Sequence, residues 1–178
     1  CFEFPEKFYS EEVDVIIPVY NGYKFLEKLL SSVSKTKMKY RLILINDKSP
    51  DERVLEYLEK YAEGKSNVLL LNNEENKGFV QTVNRGFGVG TNHVALVNTD
   101  VELPDMWLER LMLPIFEDEK VASTTPYTTC GTICSFPDFG KDNKLFLDLN
   151  VDQIDAEFIK QRPVYIEMPT GVGFCMGV

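Results

Sequence analysis

The alternation of short aliphatic runs with stretches of helical spacing constrains this chain more than any other feature. "VDVII" at 13–17 reads as a buried strand, and "GYKFLEKLLSSVSK" after it sets Phe25, Leu26, Leu29, Leu30 and Val33 on one helical face. "YRLILI" at 40–45 is a second strand. The following "SPDERVLEYLEKYAE" offers Ser49 as an N-cap, Pro50 at the first helical position and an apolar face of Val54, Leu55, Leu58 and Ala62. "NVLLL" at 67–71, a helix through Phe79, Val80, Val83 and Phe87, and "HVALV" at 93–97 continue the pattern. A further helix, 105–116, buries Trp107, Leu108, Leu111 and Met112 and is expected to end or kink at Pro114. "KVAST" at 120–124 reads as a fifth strand. Such connections are too long for hairpins, so the fold class is α/β: an open, mostly parallel, Rossmann-like sheet with helices on both faces.

The flanks are less regular. Residues 1–12 carry no sustained period and read as a lead-in, so the domain is expected to span 13–178. Residues 125–150, rich in Thr, Gly, Pro and aromatics, read as an irregular surface segment or functional loop. A short helix in "VDQIDAEFIKQ" and two strand-like runs, "PVYIEMP" and "GVGFCMGV", follow. The chain opens on Cys1 and stops on an apolar run, and the expectation is a piece truncated at its C-terminus.

Composition excludes several functions. A formal net charge of −9, from 28 acidic against 19 basic residues, repels polyanions and argues against nucleic-acid binding. A small phosphate ligand remains compatible if a divalent cation or local basic side chains supply positive charge. Cys1, Cys130, Cys134 and Cys175 lack the spacing and partners of a zinc site and read as free thiols of a reducing compartment. His93 is the only histidine, opens an apolar strand and reads as structural, which removes most Ser-His-Asp and Cys-His schemes. No aliphatic run approaches the roughly 20 residues of a membrane helix.

In an open parallel sheet, ligands bind outside the carboxyl ends of the strands. Here those ends are polar four times over. The first runs into Pro18, Val19, Tyr20 and Asn21, and the second into Asn46 and Asp47. The third meets Asn72, Asn73, Glu74, Glu75, Asn76 and Lys77, and the fourth Asn98, Thr99 and Asp100. Asn and Asp also make turns and caps, which explains any one of these ends but not all four together. Competing phosphate motifs fail. "EGKS" at 63–66 would need a glycine at Glu59, and "GFGVG" at 86–90 sits where a helix should close.

In order and spacing, "IIPVYNGYKFLEKLLSSV", "LILINDKSPDE", "NKGFVQTVNRG" and "ALVNTDVELP" resemble family 2 glycosyltransferases, which have the GT-A fold and use nucleotide-sugar donors. The third segment is similar to the rhamnosyltransferase-like branch. The resemblance implies that Pro18, Val19 and Tyr20 lie against base and ribose, and that Asp47 accepts the base's imide N–H. It also implies that Asn76, Lys77 and Gly78 border base or ribose, supported from the helix by Asn84. A turn or cap role for Asp47, a solvated Lys77 and an ordinary helix-surface Asn84 stay open beside these. "NTD" occupies the place of the family's Asp-x-Asp motif, so Asp100 would coordinate Mn²⁺ or Mg²⁺ on the donor diphosphate. Asn98 replaces the first acid and would bond the ribose without adding charge, and Thr99 counts with it among the nucleotide-sugar-binding residues; Glu102 is a lesser ligand candidate, better read as solvated.

The activity so implied is transfer of a hexosyl or deoxyhexosyl group from a nucleotide-diphosphate sugar to an acceptor hydroxyl, with inversion. The acceptor class, whether glycan, lipid-linked or protein, is left open. In relatives the carboxylate base follows the strand matching "TGVGFCMGV", so the expectation places it beyond Val178; Asp138, Asp142 and Asp148 read as solvated loop acids. Such an enzyme of polysaccharide biosynthesis is expected in the cytoplasm, with peripheral association at the cytoplasmic face of a membrane left to missing regions. Two rivals are a non-catalytic GT-A-like binding or assembly module and, last, a nucleotidyltransferase. The second would open with a basic Gly-rich loop where "PVYNGYKF" stands.

Overall fold

The computed structural model describes residues 3–162 and 164–178; Cys1, and Pro163 at the head of "PVYIEMP", lie outside them. Four strands, β1 (Glu12–Val19), β2 (Lys39–Asn46), β3 (Val68–Asn72) and β4 (His93–Val97), pair in parallel. β5 (Cys175–Gly177) adds antiparallel to β4, and the order across the sheet is β3-β2-β1-β4-β5. The helices are α1 (Tyr23–Val33), α2 (Glu52–Ala62), α3 (Gly78–Val89), α4 (Trp107–Glu117) and α5 (Val151–Phe158). The expected α/β class and mostly parallel sheet are observed.

Period-two alternation divides the sheet into two cores. Val13, Val15, Ile17 and Val19 of β1 and Leu42 and Leu44 of β2 face one way, against Leu26, Leu29, Leu30, Val54, Leu58, Leu108 and Met112 of α1, α2 and α4. Ile16, Ile43, Ile45, Val94 and Leu96 face the other way, against Val83 of α3. Gly86 sets how closely α3 approaches. A Cβ there would stand 2.7 Å from Ile16 Cγ2 and 3.0 Å from Ile45 Cδ1, both in the packed core.

Two buried carboxylates tie the strands together away from the carboxyl edge. Asp14 of β1 is fully buried and accepts from Arg41 Nε (2.7 Å) and Nη2 (3.0 Å) and from the N–H groups of Thr91 and Asn92. Burial alone would raise this carboxyl, but the Arg41 guanidinium and the two backbone donors outweigh it and hold it below the ordinary range. Glu109 of α4, also fully buried, accepts from Thr36 Oγ1 (2.8 Å) and Lys37 N–H (2.6 Å), which pins the turn before β2.

Several local expectations are corrected. "KVAST" forms no strand: Val121 N–H closes a turn onto Asp118 O, and only Thr124 pairs, with Gly177. Residues 164–168 form no strand either. Ser49 is not the cap of α2 and Pro50 lies outside the helix; Asp51 accepts from Arg53 N–H, while Ser49 N–H is consumed by Asn46 Oδ1 in a preceding turn. Phe25 of α1 and Phe79, Val80 and Phe87 of α3 are exposed rather than core; on α3 only Thr82, Val83 and Gly86 are buried. Leu55 and Ala62 are half-buried. Pro114 neither ends nor breaks α4; it stands in the last turn and its carbonyl accepts from Asp118 N–H. The lead-in packs as well: Phe8 is buried edge-on to Phe116, with ring centroids 5.0 Å apart. His93, as expected, has a structural contact, edge-on to Phe116 at 5.0 Å.

Gly86→Ala should destabilise the fold by about 1–3 kcal/mol, read as a lower denaturation midpoint at constant slope. Asp14→Asn should cost about 3 kcal/mol or more by stranding a partly buried Arg41. Because the folded-state pKa of Asp14 is depressed, its stabilisation is present above the unfolded carboxyl value and is lost as pH falls through the folded one. Acid unfolding of the wild type should therefore be steeper than that of the Asn variant.

Candidate functional site

The strand register brings the polar ends together. Val19 pairs with Asn46 and Asn46 with Asn72, so Tyr20, Asp47 and Asn73 leave the sheet at one level. Asp47 N–H donates to Val19 O and Asn73 N–H to Asn46 O, which extends the ladder by one residue at each step. Consecutive left-handed residues, Asn21 (φ 58°) and Gly22 (φ 73°), then turn β1 into α1. Asn21 N–H donates to Ser49 Oγ at 3.0 Å, joining the first two loops.

Asp47 is the centre of this edge. Only 3% of it is exposed, and Oδ1 accepts from Asn73 Nδ2 (2.6 Å) and Lys77 N–H (2.8 Å) while Oδ2 accepts from Gly78 N–H (2.9 Å). Burial would raise the carboxyl, but Lys77 N–H, the Asn73 amide, the Thr82 hydroxyl and Gly78 N–H together hold it below the usual range. It is thus an ionised acceptor at neutral pH. Asn73 Nδ2 also donates to Thr82 Oγ1 at 3.0 Å, and Asn73 Oδ1 accepts from Arg85 Nη1. The network roots the 73–78 loop and the start of α3 in the sheet.

Beside the carboxylate lies a cavity of about 110 Å³ lined by Pro18, Val19, Tyr20, Asp47, Asn76, Gly78, Phe79 and Thr82. Six of the sequence-derived candidates, Pro18, Val19, Tyr20, Asp47, Asn76 and Gly78, therefore converge on one pocket. Lys77 reaches Asp47 through its backbone N–H, and its side chain does not line the cavity. Asn84 is exposed on α3 and lines no part of it. Sequence reasoning passed over Phe79 and Thr82 as pocket residues and Asn73 as a bridge. Thr82 carried a signal, a hydroxyl beside Val83 on the inner side of an otherwise apolar helix face.

The end of β4 supplies a second, looser element. Asn98 N–H donates to Phe174 O at 2.8 Å, and Asn98 Oδ1 is buried without a partner. A Cβ on Gly22 would lie 3.6 Å from Thr99 Oγ1, so the β1–α1 turn and this loop adjoin. Asp100 is exposed. Glu102 is not simply solvated, since Lys28 Nζ donates to its Oε2 at 2.7 Å. Among the described residues no cluster of three or more His, Cys, Asp and Glu is arranged for a metal. A free carboxylate at Asp100 and an orphan oxygen at Asn98 nonetheless suit a hard cation that takes its other ligands from a diphosphate. Of the loop acids, Asp138 pairs with Lys141 and Asp142 accepts from the thiol of Cys130; Cys130, Cys134 and Cys175 are free. Burial pushes the Cys175 thiol up to about 12, so it stays protonated.

The sequence profile of glycosyl transferase family 2 matches residues 14–178. The chain belongs to glycosyl transferase family 2. Among curated proteins it is 28% identical over 136 residues to a dolichol-phosphate mannosyltransferase of Pyrococcus furiosus, and 25% identical over 131 residues to an uncharacterized glycosyltransferase of Haemophilus influenzae. These alignments cover 73% and 69% of the chain but 37% and 40% of those proteins, so the chain spans well under half of their length. In fold it is similar to a mannosyltransferase from Pyrobaculum calidifontis in complex with GDP-Man and Mn²⁺, with TM-score 0.57, 19% identity, and coverage of 66% of this chain and 35% of that one. It is likewise similar to S. aureus TarS in complex with UDP-GlcNAc, with TM-score 0.56, 21% identity, and 66% and 34% coverage. These likenesses place the chain in the GT-A fold. No helix among the described residues is long and apolar enough to cross a membrane.

The network around Asp47 makes a direct prediction. Asp47→Asn should raise amide exchange at Lys77 and Gly78 by about tenfold or more while exchange in β1 and β2 stays slow, because hydrogen bonds to a charged acceptor are lost only in that loop.

Proposed function

We propose that this family 2 domain binds a nucleotide-diphosphate sugar across the carboxyl ends of β1 to β4 and presents the sugar for transfer to an acceptor hydroxyl, with inversion. The observation that carries the reading is the convergence of Pro18, Val19, Tyr20, Asp47, Asn76 and Gly78 on one pocket, one loop away from Asn98, Thr99 and Asp100. β1 lies between β2 and β4. The strand order reverses beside it, and the crevice at such a switch point is where open α/β sheets take ligands.

The two halves of the crevice suit the two halves of such a donor. The pocket, apolar but for Asp47, Asn76 and Thr82, suits a base with its ribose at the rim against Tyr20 and Lys77. The Asn98–Asp100 loop suits the diphosphate, with Asp100 holding Mn²⁺ or Mg²⁺ and Asn98 Oδ1 accepting from a ribose hydroxyl or a metal-bound water. A cation so held would offset charge on the departing nucleoside diphosphate, which a chain of formal charge −9 is otherwise poorly equipped to do. That a similar fold is known with Mn²⁺ and a nucleotide sugar supports this assignment. The Lys28–Glu102 pair would hold the Asp100 loop against α1, and Asn84 would act from the helix surface. The rhamnosyltransferase-like branch, hexosyl or deoxyhexosyl transfer, polysaccharide biosynthesis and work at the cytoplasmic face of a membrane complete the proposal.

Titration calorimetry with a panel of nucleoside diphosphates, with and without Mn²⁺, tests it. At least one should bind with metal present and weaken by about tenfold or more without it; Asp100→Asn should reproduce the metal-free affinity in the presence of Mn²⁺, with the thermal midpoint unchanged. Metal-independent binding, or none, would reject the assignment.

A further inference from the structure

Arg41, Arg53, Arg110 and Arg162 each pair with a carboxylate, on Asp14, Asp51, Asp155 and Glu117 respectively. Arg85 does not. It is exposed on α3 in a chain of formal charge −9, yet it turns to two neutral oxygens at the end of β3: Nη1 donates to Asn72 O at 2.8 Å and to Asn73 Oδ1. Among the described residues it has no ion-pair partner, and it lines no part of the pocket. A guanidinium spent on two neutral acceptors holds geometry rather than neutralising charge.

Two hydrogen-bond relays start from the residues it holds. Arginine is a donor only, so the Asn73 oxygen faces it and Nδ2 is turned inward, where it donates to Asp47 Oδ1 at 2.6 Å and Thr82 Oγ1 at 3.0 Å. Asn73 is buried, and without Arg85 its oxygen would lose the donor that fixes the sense of the amide. The second relay runs to the β1–α1 turn. The Asn72 side chain accepts from Asn46 Nδ2 (3.2 Å), Asn46 Oδ1 accepts from Ser49 N–H (3.1 Å), and Ser49 Oγ accepts from the N–H of Asn21, the residue after Tyr20. Asp47 and Tyr20, the residues these relays reach, both line the pocket.

We infer that Arg85 is a positioning residue of the crevice, an inference that rests on the nucleotide-sugar reading above: without lining the pocket it fixes the Asn73 amide and the end of β3, and through them the place of Asp47. The consequence is readable in pH. Burial would raise the Asp47 carboxyl, and four neutral partners hold it below the usual range: Lys77 N–H, the Asn73 amide, the Thr82 hydroxyl and Gly78 N–H. The titratable side chains of the surrounding loops, Tyr20, Lys48, Glu74, Glu75 and Lys77, are exposed, and none of them bonds that carboxyl among the described residues. Losing Arg85 frees the one side-chain amide of the set, so the carboxyl should move up toward its ordinary value and take a proton at higher pH.

UDP, dTDP, GDP, CDP and ADP are titrated into the wild-type protein with Mn²⁺ present, and the tightest binder is carried into Arg85→Ala and Arg85→Lys from neutral pH down through the acid range. Protonation of the phosphates is common to all three proteins and cancels in the comparison. Arg85→Ala should weaken binding by about fivefold or more at neutral pH and move its acid limb up by about half a pH unit or more. Arg85→Lys, which restores a cationic donor to the Asn73 oxygen, should recover most of the affinity, and the thermal midpoints of both variants should stay within about 2 °C of wild type. Unchanged affinity and profile, a loss equal at every pH, or a loss that tracks a fallen thermal midpoint would overturn the inference while leaving the nucleotide-sugar reading in place. Failure of every diphosphate to bind the wild type would overturn both.

Discussion

A carboxylate removed from water must find donors or give up its charge, and at the carboxyl edge of this sheet that demand falls on Asp47. The strand ladder holds its backbone, so the donors have to come to it. Asn73 supplies one from the third strand, and the N–H groups of Lys77 and Gly78 supply two more from the first turn of α3. The chain between β3 and α3 is thereby drawn into one conformation, and a pocket opens between that loop and the Pro18–Tyr20 segment. The shape of the site follows from satisfying one buried charge.

The other half of the crevice is built on the opposite principle. Asn98 is held through its backbone, but its side-chain oxygen is buried without a partner, and Asp100 stands in solvent. A polar atom left in that state costs free energy in the empty protein. On the proposed function a bound nucleotide sugar would supply the missing donor. One side of the crevice is therefore complete, its buried carboxylate held by donors of the chain itself. The other side keeps an unpartnered oxygen and an exposed carboxylate, which on the proposed function would be ordered by the nucleotide sugar and its cation.

The remaining buried carboxylates serve the frame. Asp14 with Arg41 binds β1 to β2 and to the turn before β4, and Glu109 binds α4 to the turn before β2. Both lie outside the pocket-lining set, so the carboxyl edge is spared the work of holding the strands together. The sheet itself is asymmetric: α1, α2 and α4 cover one face, while the other is closed by α3, seated tightly through Gly86. The helix whose first turn clamps Asp47 is thus also seated closely on the sheet through Gly86.

Much of this was legible from one dimension. Period-two and helical spacings located four parallel strands and the helices between them, because burial on both sheet faces demands continuous aliphatic runs there. The polar strand ends pointed to the carboxyl edge for the same reason. Where the reading failed, the cause was tertiary. "KVAST" has strand composition, but a turn at Asp118 leaves one residue in reach of β5. Phe79 has the spacing of a core residue, but it stands in the first turn of α3, where its half-exposed ring lines the pocket instead. The amino-acid sequence by itself determined which residues are acidic, which runs are strands and that the site lies at their ends. Only the folded chain decided which lone pairs of Asp47 are spent and which polar atoms at the rim are left wanting, because hydrogen-bond saturation depends on directions in space that residue order does not carry.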